Sequence, residues 1–433
     1  MTNSNATPKF IGNLLQWPVN RSVRTFRVFV VEPKEYQPDV HGEIFNAAVT
    51  ALVGAQPELV DPFADNTAIA ETEPFDLVTF PEAFLPQGDL LAAFAALPTL
   101  GSIGCIHAGL RPNADRLQHL FTVQQIEGLI DAILQIPEVY GSDLHEFTHW
   151  LKHQARDERF NIGCLFTIDA NGSLRVCLHP KLVRSKFEVS PLSEQHMAEG
   201  NLLSLVTLLP TDKRLKSVTI QPLLCSDALH LATDRPGSWP LDGVNDYPGC
   251  FDGLVPDHVD IVSLAVCTPQ VLSSSKTTHY RAWHQEFLSA FQRAATELHR
   301  HYSATFICSN FQELSEESSG GLSGGFIPVP SLKTPFPSYV EVSSWGNDGT
   351  SPNKWSTPDN DIAAGGWMSL GHITSLSPAG DTESGTASML GFTVLRFPRD
   401  VASWTTRPGF AKFQLRRTVN SFGLLTFEKV DLQ

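Results

Sequence analysis

Short apolar runs recur along this chain between stretches of helical character, and that alternation constrains the fold more than any other feature. It is the pattern of a layered α/β protein. The clearest runs are Thr25 to Val31, Asp76 to Phe80, Gly101 to Ile106, Asn161 to Ile168 and Ser173 to Leu178. The texture repeats in the second half, at Val218 to Leu224, Asp260 to Val266, Ala304 to Cys308, Gly325 to Pro330 and Met389 to Phe397. Between the fourth and fifth runs, Asp169-Ala170-Asn171-Gly172 predicts a hairpin, because Asn-Gly tolerates the positive φ of a tight turn. Trp283 to His301 reads as an amphipathic helix, with Phe287, Ala290, Phe291, Ala294 and Leu298 at helical spacing.

A chain of 433 residues can bury a large core, and its 42% hydrophobic content suits a globular protein. The formal net charge of −15 disfavours loose binding to nucleic acid, which needs clustered Lys and Arg. No run reaches the roughly 18 to 20 apolar residues of a membrane span, and Met1 to Asn5 lacks the basic start and apolar stretch of a signal peptide. Seven cysteines without CxxC spacing indicate neither a disulfide framework nor a zinc ribbon. The expected compartment is the cytoplasm, and neither a cofactor nor a metal is expected.

Three run ends carry reactive side chains. Glu82 follows Asp76 to Phe80 in Pro81-Glu82-Ala83, Lys181 follows the hairpin in His179-Pro180-Lys181-Leu182, and Cys225 ends Pro222-Leu223-Leu224-Cys225. Singly, these read as a strand-end carboxylate, a surface lysine and a buried thiol, all common fates. As an ordered set they are the parts of a thiol hydrolase. A thiol of ordinary pKa near 8.5 is only a few per cent ionised at neutral pH, so it needs a base and a cation beside it.

The order of the motifs resembles the nitrilase, or carbon–nitrogen hydrolase, superfamily over roughly residues 25 to 400. The likeness rests on DLVTFPEAFLP at 76–86, FNIGCLFTIDANGSLRVCLHPKL at 160–182 and IQPLLCSD at 220–227. It continues in TELHRHYSATFICSNF at 296–311, and GGLSGGFIPVP at 320–330 stands in place of the family's glycine-rich closing hairpin. The resemblance implies a four-layer α-β-β-α sandwich of two mixed sheets with helices outside, usually paired into a homodimer. It implies Glu82 as general base, Lys181 as the oxyanion-stabilising amine and Cys225 as nucleophile. A second glutamate after the lysine is implied too, with Glu188 the better match and Glu194 the alternative. The implied reaction is hydrolysis of a non-peptide C–N bond through a thioester: an amide or a ureido (carbamoyl) group, with a nitrile as third choice.

The chain departs from the family pattern where Ser226-Asp227 follows Cys225, since many relatives carry a bulky aromatic and then an acidic residue there. It is also longer. A hydrolase domain at 25–404 would carry insertions at about 108–158, 229–258 and 331–386, with extensions at 1–24 and 405–433. Insertions beside a cleft set specificity or present a docking surface. They motivate a second reading, a nitrilase-like interaction or regulatory module of a larger assembly, such as a bacterial defence system, with little or no hydrolase activity and a protein partner docked through the insertions.

His145-Glu146-Phe147-Thr148-His149 is a literal H-E-x-x-H, with His153 one turn on. It lacks a downstream third ligand and lies within the first insertion, so a solvated or packed helix face is the reading adopted. The Gly320 to Gly325 run lacks the Gly-Lys-Ser/Thr ending of a phosphate loop and reads as a turn entering a hairpin. The other cysteines (Cys105, Cys164, Cys177, Cys250, Cys267 and Cys308) read mostly as core residues.

Overall fold

Two β-sheets facing each other organise the chain. The computed structural model describes residues 11–21, 25–54, 75–100, 103–184, 188, 196–230, 259–267, 305–315, 318–319, 323–329, 343–345, 352–354, 366–372, 387–396, 410–419 and 425–431. The first strands are β1 (Ile11–Val19), β2 (Thr25–Pro33), β3 (Leu77–Thr79), β4 (Leu85–Pro86), β5 (Cys105–Arg111), β6 (Phe121–Thr122), β7 (Arg159–Phe160), β8 (Ile162–Ile168) and β9 (Leu174–Pro180). Next come β10 (Leu202–Pro210), β11 (Val218–Leu224), β12 (Ile261–Ala265), β13 (Thr305–Ser309), β14 (Glu313–Ser315), β15 (Ser318–Ser319) and β16 (Gly324–Val329). The last are β17 (Ser343–Trp345), β18 (Pro352–Lys354), β19 (Gly366–His372), β20 (Ala387–Arg396), β21 (Phe410–Val419) and β22 (Leu425–Asp431). The α-helices are α1 (Pro38–Gly54), α2 (Gln87–Leu100), α3 (Val123–Leu134) and α4 (His145–Leu151).

One sheet runs β1-β10-β11-β12-β13-β16-β19 and the other β22-β21-β20-β2-β3-β5-β8-β9, with β4 joined to β5. Both are mixed: β11, β12 and β13 are mutually parallel, as are β2, β3 and β5, while β8 and β9 form an antiparallel hairpin. That hairpin turns at Asp169, whose Oδ1 accepts from the backbone N–H of Asn171 (2.8 Å) and Ser173 (2.9 Å), and Gly172 supplies the positive φ of 80°.

The period-two geometry of a strand explains why β2 and β8 of the second sheet bury apolar side chains on both faces. On β2, Phe26, Val28 and Val30 face the first sheet, where Trp17, Val206, Val218, Ile220, Ile261 and Ile307 meet them. The alternate residues Phe29 and Val31 face a second core built with Ile44, Phe45 and Leu52 of α1, Phe94 of α2 and Ile126 and Ile130 of α3. In β8, Leu165 points to the sheet interface and Cys164 and Phe166 to the helices. Helix α3 begins with a reciprocal cap: Thr122 Oγ1 accepts from Gln125 N, and Gln125 Oε1 from Thr122 N.

A polar thread crosses the apolar interface between the sheets. Thr79 Oγ1 meets Ser263 Oγ (2.8 Å), Ser263 meets His107 Nδ1 (2.8 Å), and His107 Nε2 meets His179 Nε2 (3.2 Å). Burial pushes both imidazoles down in pKa, His179 to about 3, so both are neutral and one of the facing nitrogens carries the hydrogen.

Several expected strands lie where the sequence puts them, β11 with the same limits. The run expected from Gly101 begins instead at Cys105 and continues to Arg111. The buried polar side chains of His107 and Arg111 masked that continuation. Residues 11–19, in the segment read as an N-terminal extension, form β1 and pair in parallel with β10, while β21 and β22, in the segment read as a C-terminal extension, continue the second sheet. The stretch 108–158 holds the end of β5, then β6, α3 and α4. The helix expected at Trp283 to His301, most of the 229–258 and 331–386 stretches, and Cys250 lie outside the described residues.

Glu32 of β2 gives the fold an unusual pH dependence. It is buried and accepts from the backbone N–H of Ser323 (3.1 Å). Burial pushes its carboxyl up from 4.5 to about 7, against the pull of hydrogen bonds from Ser323. The unfolded chain releases this proton near 4.5 and the folded chain only near 7, so Glu32 contributes stability at low pH that is lost as pH rises through that window. Glu32→Gln is therefore expected to melt above the wild type at pH 8, by on the order of 2 kcal/mol, and to lose that advantage at pH 4.5. Thermal melts at both pH values check this, and an equal difference at the two would refute it.

Candidate active site

Glu82 owes its position to a strained turn at the end of β3. The chain leaves the sheet at Phe80-Pro81 and bends at Glu82-Ala83, where Ala83 has φ of 51°. Gly109 of β5 lies directly beneath: its N–H donates to Pro81 O (3.0 Å) and its carbonyl accepts from Phe84 N (3.0 Å). A Cβ at position 109 would fall 2.4 Å from Glu82 Cα and 2.5 Å from Ala83 N, so this approach requires glycine. Arg111, fully buried, donates from Nη1 to Ala83 O (3.2 Å) and to Tyr36 Oη (2.9 Å). The turn is clamped from below and from the side.

Lys181 enters the same space from the end of β9. Its ammonium donates to Glu82 Oε1 (2.7 Å) and Glu188 Oε2 (2.8 Å). Asn161, just before β8, binds both carboxylates through one nitrogen, Nδ2 to Glu82 Oε1 (2.7 Å) and to Glu188 Oε1 (3.1 Å). The other Glu82 oxygen accepts from Cys267 N (3.2 Å). Side-chain exposure is 1% for Lys181 and 4% for each glutamate, so this charge cluster is dry.

The electrostatics follow from that burial. Desolvation raises the Glu82 pKa; Lys181 pulls it down and Glu188 pushes it up again, and the net direction is upward. For Glu188, burial also raises, but Lys181 and His119 prevail and hold it well below the ordinary carboxylate range. Burial alone would strip Lys181 of its proton, yet Glu188, Glu82 and Cys225 together hold its pKa well above the usual value. The cluster thus has a permanently charged lysine, an ionised Glu188 and, in Glu82, the carboxylate that takes a proton first. Two of the three ammonium hydrogens are bound by Glu82 and Glu188.

Cys225 follows β11 at the start of the 3-10 turn Cys225–His230. It is buried and holds φ of 40°, the left-handed region. Asp227 fastens this turn to the lysine segment: Oδ1 accepts from Leu182 N (2.8 Å) and Val183 N (2.9 Å), and Oδ2 from Leu224 N (3.0 Å). Burial pushes the Asp227 acid up to about 8, against Lys181 and these three donors. Ser226 Oγ donates to Val183 O (2.5 Å), so the Ser-Asp pair after the cysteine stitches the ends of β9 and β11 together. Cys225 lies within electrostatic reach of the ammonium it helps to hold protonated.

The structure therefore brings Glu82, Lys181, Glu188 and Cys225 into one buried region, while Glu194 lies outside the described residues. The sequence reading did not single out Asn161, Gly109 or Arg111, and it noted Asp227 only for its place after Cys225. Asn161 and Asp227 stand inside the quoted motifs, at FNIG and CSD, where a polar residue beside an apolar run was the available signal. The H-E-x-x-H helix lies elsewhere. The His145 side chain is 77% exposed and paired with Glu146 (3.1 Å), His153 Nδ1 bonds to His149 O (2.8 Å), and α4 buries Phe147, Trp150 and Leu151 instead. Among the described residues no helix is long and apolar enough to cross a membrane.

No protein-family model matches the chain, and no curated protein matches it in sequence. Among solved structures it is similar to a cysteine-to-alanine mutant of the Nesterenkonia AN1 amidase from the nitrilase superfamily, with 10% identity over 71% of this chain and 84% of that one and a TM-score of 0.34. A glutamate-to-glutamine mutant of the same amidase, showing covalent addition of the acetamide moiety of fluoroacetamide at the active site cysteine, gives 10% identity over 72% and 85% with a TM-score of 0.34. At these scores the likeness has no bearing on the chemistry, which is read from the site itself.

Proposed function

We propose that this protein is a thiol hydrolase of a non-peptide C–N bond, an amide or a ureido group, acting through a thioester on Cys225. The observation that carries the reading is the dry Glu82–Lys181–Glu188 cluster beside a cysteine held at positive φ. A buried ion triad costs desolvation energy, and a strained cysteine costs backbone energy; such costs concentrate at reactive sites. The scaffold proposed is a four-layer α-β-β-α sandwich; the two facing sheets and the helices over one of them supply three of those layers among the described residues.

In the proposed reaction Glu82 takes the thiol proton as Cys225 Sγ attacks the carbonyl carbon. The carbonyl electron pair moves to oxygen, and the third hydrogen of the Lys181 ammonium stabilises the oxyanion. Collapse breaks the C–N bond, and protonated Glu82 gives its proton to the departing amine, leaving the thioester. Water then attacks the thioester carbon while Glu82 takes its proton. The second collapse releases the acid, and Glu82 returns the proton to the Cys225 thiolate. Glu188 and Asn161 hold Lys181 and Glu82 in place throughout.

The test needs no substrate. Alkylation of Cys225 by iodoacetamide, followed against pH by peptide mass spectrometry, is expected to be fast near neutral pH and to slow at least tenfold in Glu82→Gln. Slow labelling that is indifferent to Glu82→Gln and Lys181→Ala would mean a structural thiol and end this reading. A positive result makes ammonia release from a panel of amides and N-carbamoyl compounds the next assay.

A further inference from the structure

One titratable side chain joins the buried cluster to the protein surface. His119 Nε2 stands 3.9 Å from Glu188 Oε1, and its side chain is 25% exposed against 4% for Glu188. The loop between β5 and β6 that carries it is built from below by the buried Arg111, which donates from Nε to Asn113 O (2.7 Å), from Nη2 to Asp115 O and from Nη2 to Gln118 O (3.5 Å). Gln118 immediately precedes His119 and is itself tied by Asn113 Nδ2 to Gln118 Oε1 (3.2 Å). The loop thus holds the imidazole over one carboxylate of the cluster.

We propose that His119 is a positioning residue of this site, which caps Glu188 from the solvent side and tunes the pH dependence of Cys225 reactivity through the charge it can place there. The inference rests on the hydrolase reading above. With Glu82 and Glu188 ionised and Lys181 protonated, the cluster carries one net negative charge, which an imidazolium cancels. Among the described residues, the charged groups His119 faces are Glu188, with Glu82 and Lys181 beyond it, and its own loop also carries Arg111, Asp115 and Arg116. A positive charge at that place favours the ionised form of both Glu188 and Glu82. Removing that charge makes the cluster harder to deprotonate, so the acid limb of Cys225 reactivity moves to higher pH. A permanent cation at the same place leaves the limb where it is or lowers it.

The experiment is the pH profile of iodoacetamide labelling at Cys225 in wild type, His119→Gln, His119→Lys and Glu82→Gln, with His119→Asn as a second neutral variant and thermal melts of each. The neutral variants are expected to raise the acid limb by roughly half a pH unit, the size of one partly solvated charge several ångströms away, and the lysine variant is expected not to. If the neutral and the lysine variants leave the limb unmoved, or move it alike, His119 is a packing contact and the proposal is overturned. In that case a profile still dependent on Glu82 leaves the hydrolase reading standing. Labelling indifferent to Glu82→Gln sinks the hydrolase reading and this inference with it.

Discussion

Replacing Lys181 with methionine is expected to destabilise the fold by about 3–5 kcal/mol and to lower hydrolysis at least 10²-fold to 10³-fold. The two losses share a cause. The ammonium lies between two buried carboxylates at 2.7 and 2.8 Å, and without it Glu82 and Glu188 face each other across a buried space, bridged among the described residues by Asn161. One of them must then take a proton to remain buried. The destabilisation should therefore shrink on acidification: a carboxyl whose folded pKa is raised contributes stability at low pH and loses it as pH rises. Adding Glu188→Gln to Lys181→Met removes one of the stranded charges, so the double variant should regain a substantial part of the lost stability without regaining activity. Denaturant unfolding of the wild type, Lys181→Met, Glu188→Gln and the double variant checks this, at neutral pH and near pH 5. A loss below about 1 kcal/mol in Lys181→Met, with the double variant no better, would mean the three charges are not the buried unit described.

Much of this candidate site was legible in the sequence because Glu82, Lys181 and Cys225 stand at the ends of apolar runs. β3, β9 and β11 end near one another, so Glu82, Lys181 and Cys225 need no long-range geometry beyond strand order to be suspected together. What was hidden follows from physics that a linear pattern does not display. Asn161 looks like any polar residue before a strand until both carboxylates are seen on its one nitrogen. Asp227 looks like a solvent-facing acid after a cysteine until three backbone N–H groups from two segments converge on it. Arg111 and His107 broke the apolar signal of β5 although both are fully buried, because each has found polar partners inside. The outer strands β1, β21 and β22 were read as extensions, since nothing in Ile11–Val19 or Leu425–Asp431 by itself names the distant strand it pairs with.

Cys225→Ala is expected to abolish turnover while leaving the protein folded, and Cys225→Gly is expected to be at least as stable as the alanine variant. At an ordinary position glycine costs about 0.5–1 kcal/mol relative to alanine, through the greater freedom of the unfolded chain. At φ of 40° the order should reverse, because a Cβ in the left-handed region clashes with the neighbouring carbonyl at about 1–2 kcal/mol. Both variants lose the same buried sulfur, so the difference between them reports the backbone together with the one buried carbon that glycine also lacks, worth about 0.8 kcal/mol. The turn cannot relax to ordinary φ while Asp227 binds Leu224 N on one side and Leu182 and Val183 on the other, with Ser226 on Val183 O. That clamp holds the residue after β11 toward Lys181 and not along the strand direction. If alanine proves more stable than glycine by about 1 kcal/mol, the turn is not held at positive φ in solution. If glycine matches or exceeds alanine, the cysteine stands at a position where its own Cβ is a liability to the fold, the kind of strain that concentrates at functional sites.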